Sequence, residues 1–177
     1  MRKDIFIHFS FWFAFFVAIA VFRVYFTITY LPFWLGGLLG LVLPDIDHFI
    51  YIYFVKHSDL SSQRVNYLMN KKSIFRSVQL LYETRDERKE LIFHSIFFQA
   101  IFFALTFWIV SSSGSIFGRG LALSFIFHLS IDQLIDFNEV GNLNNWYTNL
   151  PFKFDYPQSK TFWMISVGLI LLMGIVM

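Results

Sequence analysis

Five apolar stretches dominate the chain: Ile5 to Phe26, Leu31 to Val55, Leu91 to Val110, Ile116 to Phe137, and Thr161 to Met177. A helix rises about 1.5 Å per residue and a bilayer core is about 30 Å thick, so each stretch is long enough to cross, the last one marginally. The pattern predicts an all-α, polytopic membrane protein with about five transmembrane helices, forming a single domain over residues 1–177. Two polar intervals break it. Between Lys56 and Glu90, Val65, Leu68 and Met69, then Ile74, Val78 and Leu81, recur at helical spacing. One or two amphipathic helices on the cytoplasmic face are therefore expected, with Ser61 or Ser62 as a candidate cap; a plain solvated loop is the alternative. The interval from Asn138 to Lys160 carries Trp146, Tyr147, Phe152, Phe154 and Tyr156, rings suited to a membrane–water interface. Gly36 and Gly40 form a small-xxx-small pair, which predicts close helix packing.

Composition supports the membrane reading. The chain is 56% hydrophobic and 15% charged, whereas soluble domains run nearer to half and a quarter. No cysteine is present, so disulfides and thiolate metal sites are excluded. A net charge of +2 gives no reason to expect a nucleic-acid partner. Its distribution says more. With a cytoplasmic N-terminus, only Arg23 and Arg119 of the 14 basic residues fall outside. The positive-inside rule then predicts N-in, C-out insertion in the cell (inner) membrane. A rival reading takes the first stretch as a signal peptide cleaved near Ala18-Ile19-Ala20, but the apolar run continues past that point.

Against this background the polar residues inside the spans need a reason, because a charge in hydrocarbon costs at least a few kcal/mol. They are His8, Asp45, Asp47, His48, His94, His128 and Asp132. Placed at helical rise, all seven fall within roughly 15 Å of the cytoplasmic boundary. His128 and Asp132 are four apart on one helix face; Asp45 and His48 are three apart, provided Pro44 leaves the backbone helical. Apart from basic residues at outer ends, such as Arg119, the spans hold no Lys or Arg to neutralise the acids. A divalent ion would do so, and protonated carboxyls are the alternative. Imidazole with carboxylate suits zinc first, then manganese or iron. The expected ligands are His8, Asp45, His48, His94, His128 and Asp132. Asp47 points elsewhere on an ideal helix, which leaves it as a supporting group, a base or the ligand of another ion. Asp136 continues the His128 face, but at the membrane edge a carboxylate is cheap, so it is left out.

The strings Gly-Leu-Val-Leu-Pro-Asp-Ile-Asp-His at Gly40–His48, Phe93-His94-Ser95, His128-x-x-x-Asp132 and Leu150-Pro151-Phe152 occur in an order that resembles the YdjM-like family of membrane-bound, predicted metal-dependent hydrolases. The family's third motif, His-Arg-x-x-Thr-His-Ser, is only partly kept: Lys89 and Glu90 stand for its His-Arg pair and Phe93 for its Thr. Arg85 or Arg88 would then contact phosphate oxygens in place of the missing pair. The family's distant similarity to zinc-dependent phospholipase C implies hydrolysis of a phosphoester in a membrane phospholipid headgroup. On that reading Asp47 accepts the proton of the attacking water. A metal-ion or proton transporter, or a noncatalytic adaptor, is the alternative, since membrane acids and histidines also mark ion pathways.

Overall fold

The computed structural model describes residues 2–84, 87–88, 90–148, 150–151 and 154–177. They form an all-α membrane protein; among the described residues there is no strand. The helices are α1 (Arg2–Arg23), α2 (Leu31–Val42), α3 (Ile46–Ile50), α4 (Leu60–Asn70), α5 (Ile74–Glu83), α6 (Ile96–Ser112), α7 (Ile116–Glu139) and α8 (Tyr156–Val176). Four helical segments of the described residues are long and apolar enough to cross a membrane: α1, the composite Ile28–Val55, α7 and α8. The fifth apolar helix, α6, has 17 residues, or roughly 25 Å at helical rise.

The second span holds together across Pro44. Proline cannot donate a backbone hydrogen bond, and here it sits in a single 3-10 turn, Leu43–Asp45, between α2 and α3. A π-helical turn, Tyr51–Val55, completes the span. Helical backbone thus continues through the Pro44 region, and Asp45 and His48 line the same cavity.

α7 is the central helix: 78% of its apolar window is buried, against 28 to 33% for the other three long spans. Its contact with α2 is made by backbone. A methyl added at Gly36 would lie 2.2 Å from the Phe117 carbonyl oxygen, at Gly40 2.3 Å from that of Leu121, and at Gly120 2.2 Å from that of Phe33. Only glycine permits such an approach, so the small-residue pair read from sequence is an interhelical contact. The contacts advance together, Phe33 with Gly120 and Gly40 with Leu121, so α2 and α7 run parallel. That register carries Asp45 toward His128 of α7.

The third span departs from expectation. Leu91 to Val110 reads as one apolar run, yet the helix begins only at Ile96. The Asp47 carboxylate takes the amides of Ile92, Phe93 and His94, at 3.1, 2.6 and 3.2 Å, and so holds this segment in a non-helical turn. Ser95 then caps α6, its Oγ accepting from the Phe98 amide.

The polar interval forms two helices, α4 and α5. Ser61 and Ser62 are not caps: α4 starts at Leu60, and both serines are buried in its first turn. Asp59 precedes the helix, and its carboxylate accepts the Tyr51 hydroxyl at 2.5 Å. Val65 and Leu81 pack with Tyr51, Ile52 and Leu91, which seats the α4–α5 pair on the end of the second span. In the last loop Tyr147 donates to Ser159 Oγ at 3.1 Å; burial pushes its phenol upward in pKa, and the Ser159 bond opposes this. It is a neutral pin between the loop and α8.

Candidate metal centre

Asp132 is the focus of the polar cluster. It is buried on the innermost helix, and three imidazoles from three other positions face it. His8 Nε2, from α1, lies 3.3 Å from Oδ1. His94 Nε2, from the turn before α6, and His128 Nε2, one turn back on α7, each lie 3.0 Å from Oδ2. The His8 and His128 rings stand 4.4 Å apart, centre to centre. Asp45 Oδ1 is 3.7 Å from His128 Nε2, with its side chain 40% exposed.

These contacts fit a cation better than a hydrogen-bond network. His8 Nε2 and both nitrogens of His128 are buried with no hydrogen-bond partner, although carboxylate oxygens stand close by. A buried polar atom left unpaired costs about 1–3 kcal/mol. Ligands about 2.1 Å from a tetrahedral zinc are about 3.4 Å from one another, close to the separations here. Donor atoms of His8, His128 and Asp132 all lie within 4.8 Å of one another, and this buried group could hold a metal ion.

The surroundings orient the donors. His8 Nδ1 is 2.9 Å from the Asp4 carbonyl oxygen, and His94 Nδ1 is 3.1 Å from Asp47 Oδ2. A carbonyl or carboxylate on one ring nitrogen fixes the proton there and turns the other nitrogen's lone pair inward, the usual second layer of a metal site. Asp47 therefore serves two ends, shaping the turn at 92–94 and aiming the imidazole within it. The Trp146 ring stands edge-on to His94 at 5.5 Å, and its Nε1 donates to Asp136 Oδ2 at 2.6 Å. Sequence reasoning placed Trp146 among the interfacial rings and set Asp136 aside. Their pairing spans ten residues and has no periodic signature.

His48 stands differently. Its ring stacks on His94 at 5.3 Å, and its Nδ1 accepts from Arg88 Nε at 3.2 Å. Arg88 is only 2% exposed; its guanidinium also donates to Thr84 Oγ1 at 2.9 Å and to the Leu81 carbonyl oxygen. Arg85, the other residue expected to meet phosphate, lies outside the described residues, as do Lys89 and Phe152. Glu90 pairs with Lys56 at 3.1 Å.

Above the cluster is a cavity of about 360 Å³. His8, Asp45, His48, His128 and Asp132 form its polar side; Ile5 and Phe9 of α1, Leu41, Val42 and Phe49 of the second span, and Val78, Leu81 and Tyr82 of α5 form the rest. The amphipathic helix thus walls the site. Comparison of the chain with protein families, with curated proteins and with solved structures found no match.

Proposed function

We propose that this protein is a membrane-bound metal-dependent hydrolase that cleaves a phosphoester in a lipid headgroup at the inner leaflet. The observation that carries the reading is the convergence of buried, unpartnered imidazole nitrogens on Asp132 at the foot of a largely apolar cavity. His8, His94, His128 and Asp132 would hold the ion, zinc before manganese or iron, with Asp45 at the margin of the set. A divalent ion there would polarise a phosphoryl oxygen and bring a water's pKa near neutrality. The apolar walls suit an acyl chain and the polar side a headgroup.

Asp47 is better suited to positioning than to proton transfer, because the 92–94 amides and His94 Nδ1 already occupy its oxygens. We assign proton acceptance to Asp45, the half-exposed carboxylate on the cavity wall. The likeness of the Asp-Ile-Asp-His and His-x-x-x-Asp strings to the YdjM-like hydrolases supports the same chemistry by analogy.

The test incubates zinc-loaded protein in nanodiscs with a panel of inner-leaflet lipids and follows products by mass spectrometry. Turnover abolished by His128→Ala is the expected result. Stoichiometric metal with no turnover above that variant would defeat the hydrolase reading. Metal uptake into proteoliposomes that depends on Asp132 would then favour transport, a use also compatible with buried acids and imidazoles.

A further inference from the structure

We propose that His48 is a substrate-binding residue and not a metal ligand, and that Arg88 makes it so by holding the imidazole in the tautomer with its proton on Nε2. The substrate's identity as a phosphoryl group rests on the function proposed above; the tautomer does not.

The histidines differ in what each meets at Nδ1. His8 meets a carbonyl oxygen and His94 a carboxylate, both acceptors, so with an ion at Asp132 their protons would sit on Nδ1 and their Nε2 lone pairs would serve the metal. His48 meets the Nε–H of Arg88. A guanidinium is a donor only, so that bond has one sense and His48 Nδ1 must accept. A neutral imidazole accepting at one nitrogen carries its proton at the other. Nε2 then has no lone pair to offer a metal, and a guanidinium stands against Nδ1.

Arg88 cannot readily swing away. It is buried, and two further donors are held by Leu81 and Thr84 at the end of α5. It ties the helix walling the cavity to the span that bears His48, and is thus a positioning residue. His48 itself lines the cavity beside His8, His128 and Asp132. An N–H beside a cation site, backed by a guanidinium, recognises an oxyanion: one oxygen on the metal, another on His48 Nε2. The polarity of the group at Nδ1 thus separates His48 from His8 and His94.

The experiment uses the full chain in nanodiscs, with zinc and inorganic phosphate as probes. In ¹⁵N spectra of the metal-free protein, His48 is expected as the Nε2–H tautomer, and Arg88→Met should release it to a mixture. An Nδ1–H tautomer in the unaltered protein overturns the assignment, whatever the protein does with metal. His48→Gln, which keeps an amide donor near the Nε2 position, should retain the full zinc content while His128→Ala loses it. Zinc lost equally from both would make His48 a ligand and end the proposal. On zinc-loaded protein, His48→Ala should weaken phosphate binding roughly tenfold, the scale of one hydrogen bond to a charged group, with His48→Gln recovering most of it. Unchanged phosphate affinity in His48→Ala overturns the substrate-binding role. Failure of the unaltered protein to bind zinc would defeat the metal centre instead, leaving the spectra to decide the tautomer.

Discussion

The two ends of the α2–α7 pair make opposite use of the same parallel helices. At the end bearing Gly36, Gly40 and Gly120, a backbone carbonyl of the facing helix is the nearest group to each glycine. Toward Asp45, His128 and Asp132, the pair borders a cavity whose polar side comes from α1, the second span and α7. The lesson is that the tight end sets the register the open end needs. Glycines cost a helix conformational entropy, but they fix the relative height of two spans to within a fraction of a turn, and Asp45 then meets His128. The open end is left with buried polar atoms that no neighbour satisfies.

The sharpest way to break this comparison is Gly40→Leu. Its side chain would start 2.3 Å from the Leu121 carbonyl oxygen, so the helices must part. Overpacking commonly costs about 1–3 kcal/mol and here should reach the upper end or beyond. Thermal unfolding in detergent should show the loss, and zinc content should fall with it although Gly40 touches no ligand. Full zinc retention would uncouple the two ends.

Asp47→Asn should come next. It removes the charge from a group that organises three amides and one imidazole. Loss of such a partner typically lowers metal affinity 10- to 100-fold. Titration with a competing chelator would measure it, and an unaltered affinity would remove Asp47 from the metal's support.

A smaller effect is expected at the α6–α7 contact, where Gln99 and Gln133 exchange amide hydrogen bonds at 3.4 and 2.7 Å, fully buried. Gln133→Leu alone strands an amide and should cost about 1–3 kcal/mol, whereas the double change to leucine should recover most of that. The double-mutant cycle measures the coupling; additive losses would show that the pair is not a unit. The least effect belongs to Gly168→Ala on α8, where an added methyl meets nothing within 4 Å. Stability should hold or rise by up to about 1 kcal/mol, the control showing that the cost at Gly40 is one of contact and not of helix content.

Much of this was legible before the structure. Runs of apolar residues predict spans because hydrocarbon admits little else, and Leu31–Val55, Ile116–Phe137 and the amphipathic pair at 56–90 all correspond to observed helices. His128 and Asp132 share a face because helical periodicity places them there. What misled was the assumption that an apolar run is helical from end to end. Leu91 to Ser95 are apolar enough for a span, yet the acceptor that holds their amides, Asp47, is more than forty residues away.

Local composition and the helical period are enough to show that this chain is helical and suits a membrane, and that His128 and Asp132 share a face. The packing of distant segments sets which imidazoles turn Nε2 toward Asp132 and which meets a guanidinium. That choice depends on the atom opposite each Nδ1: a carbonyl four residues away for His8, but distant side chains for His94 and His48. Those two encounters exist only once the glycine-lined helices have closed and α5 has been drawn against the second span.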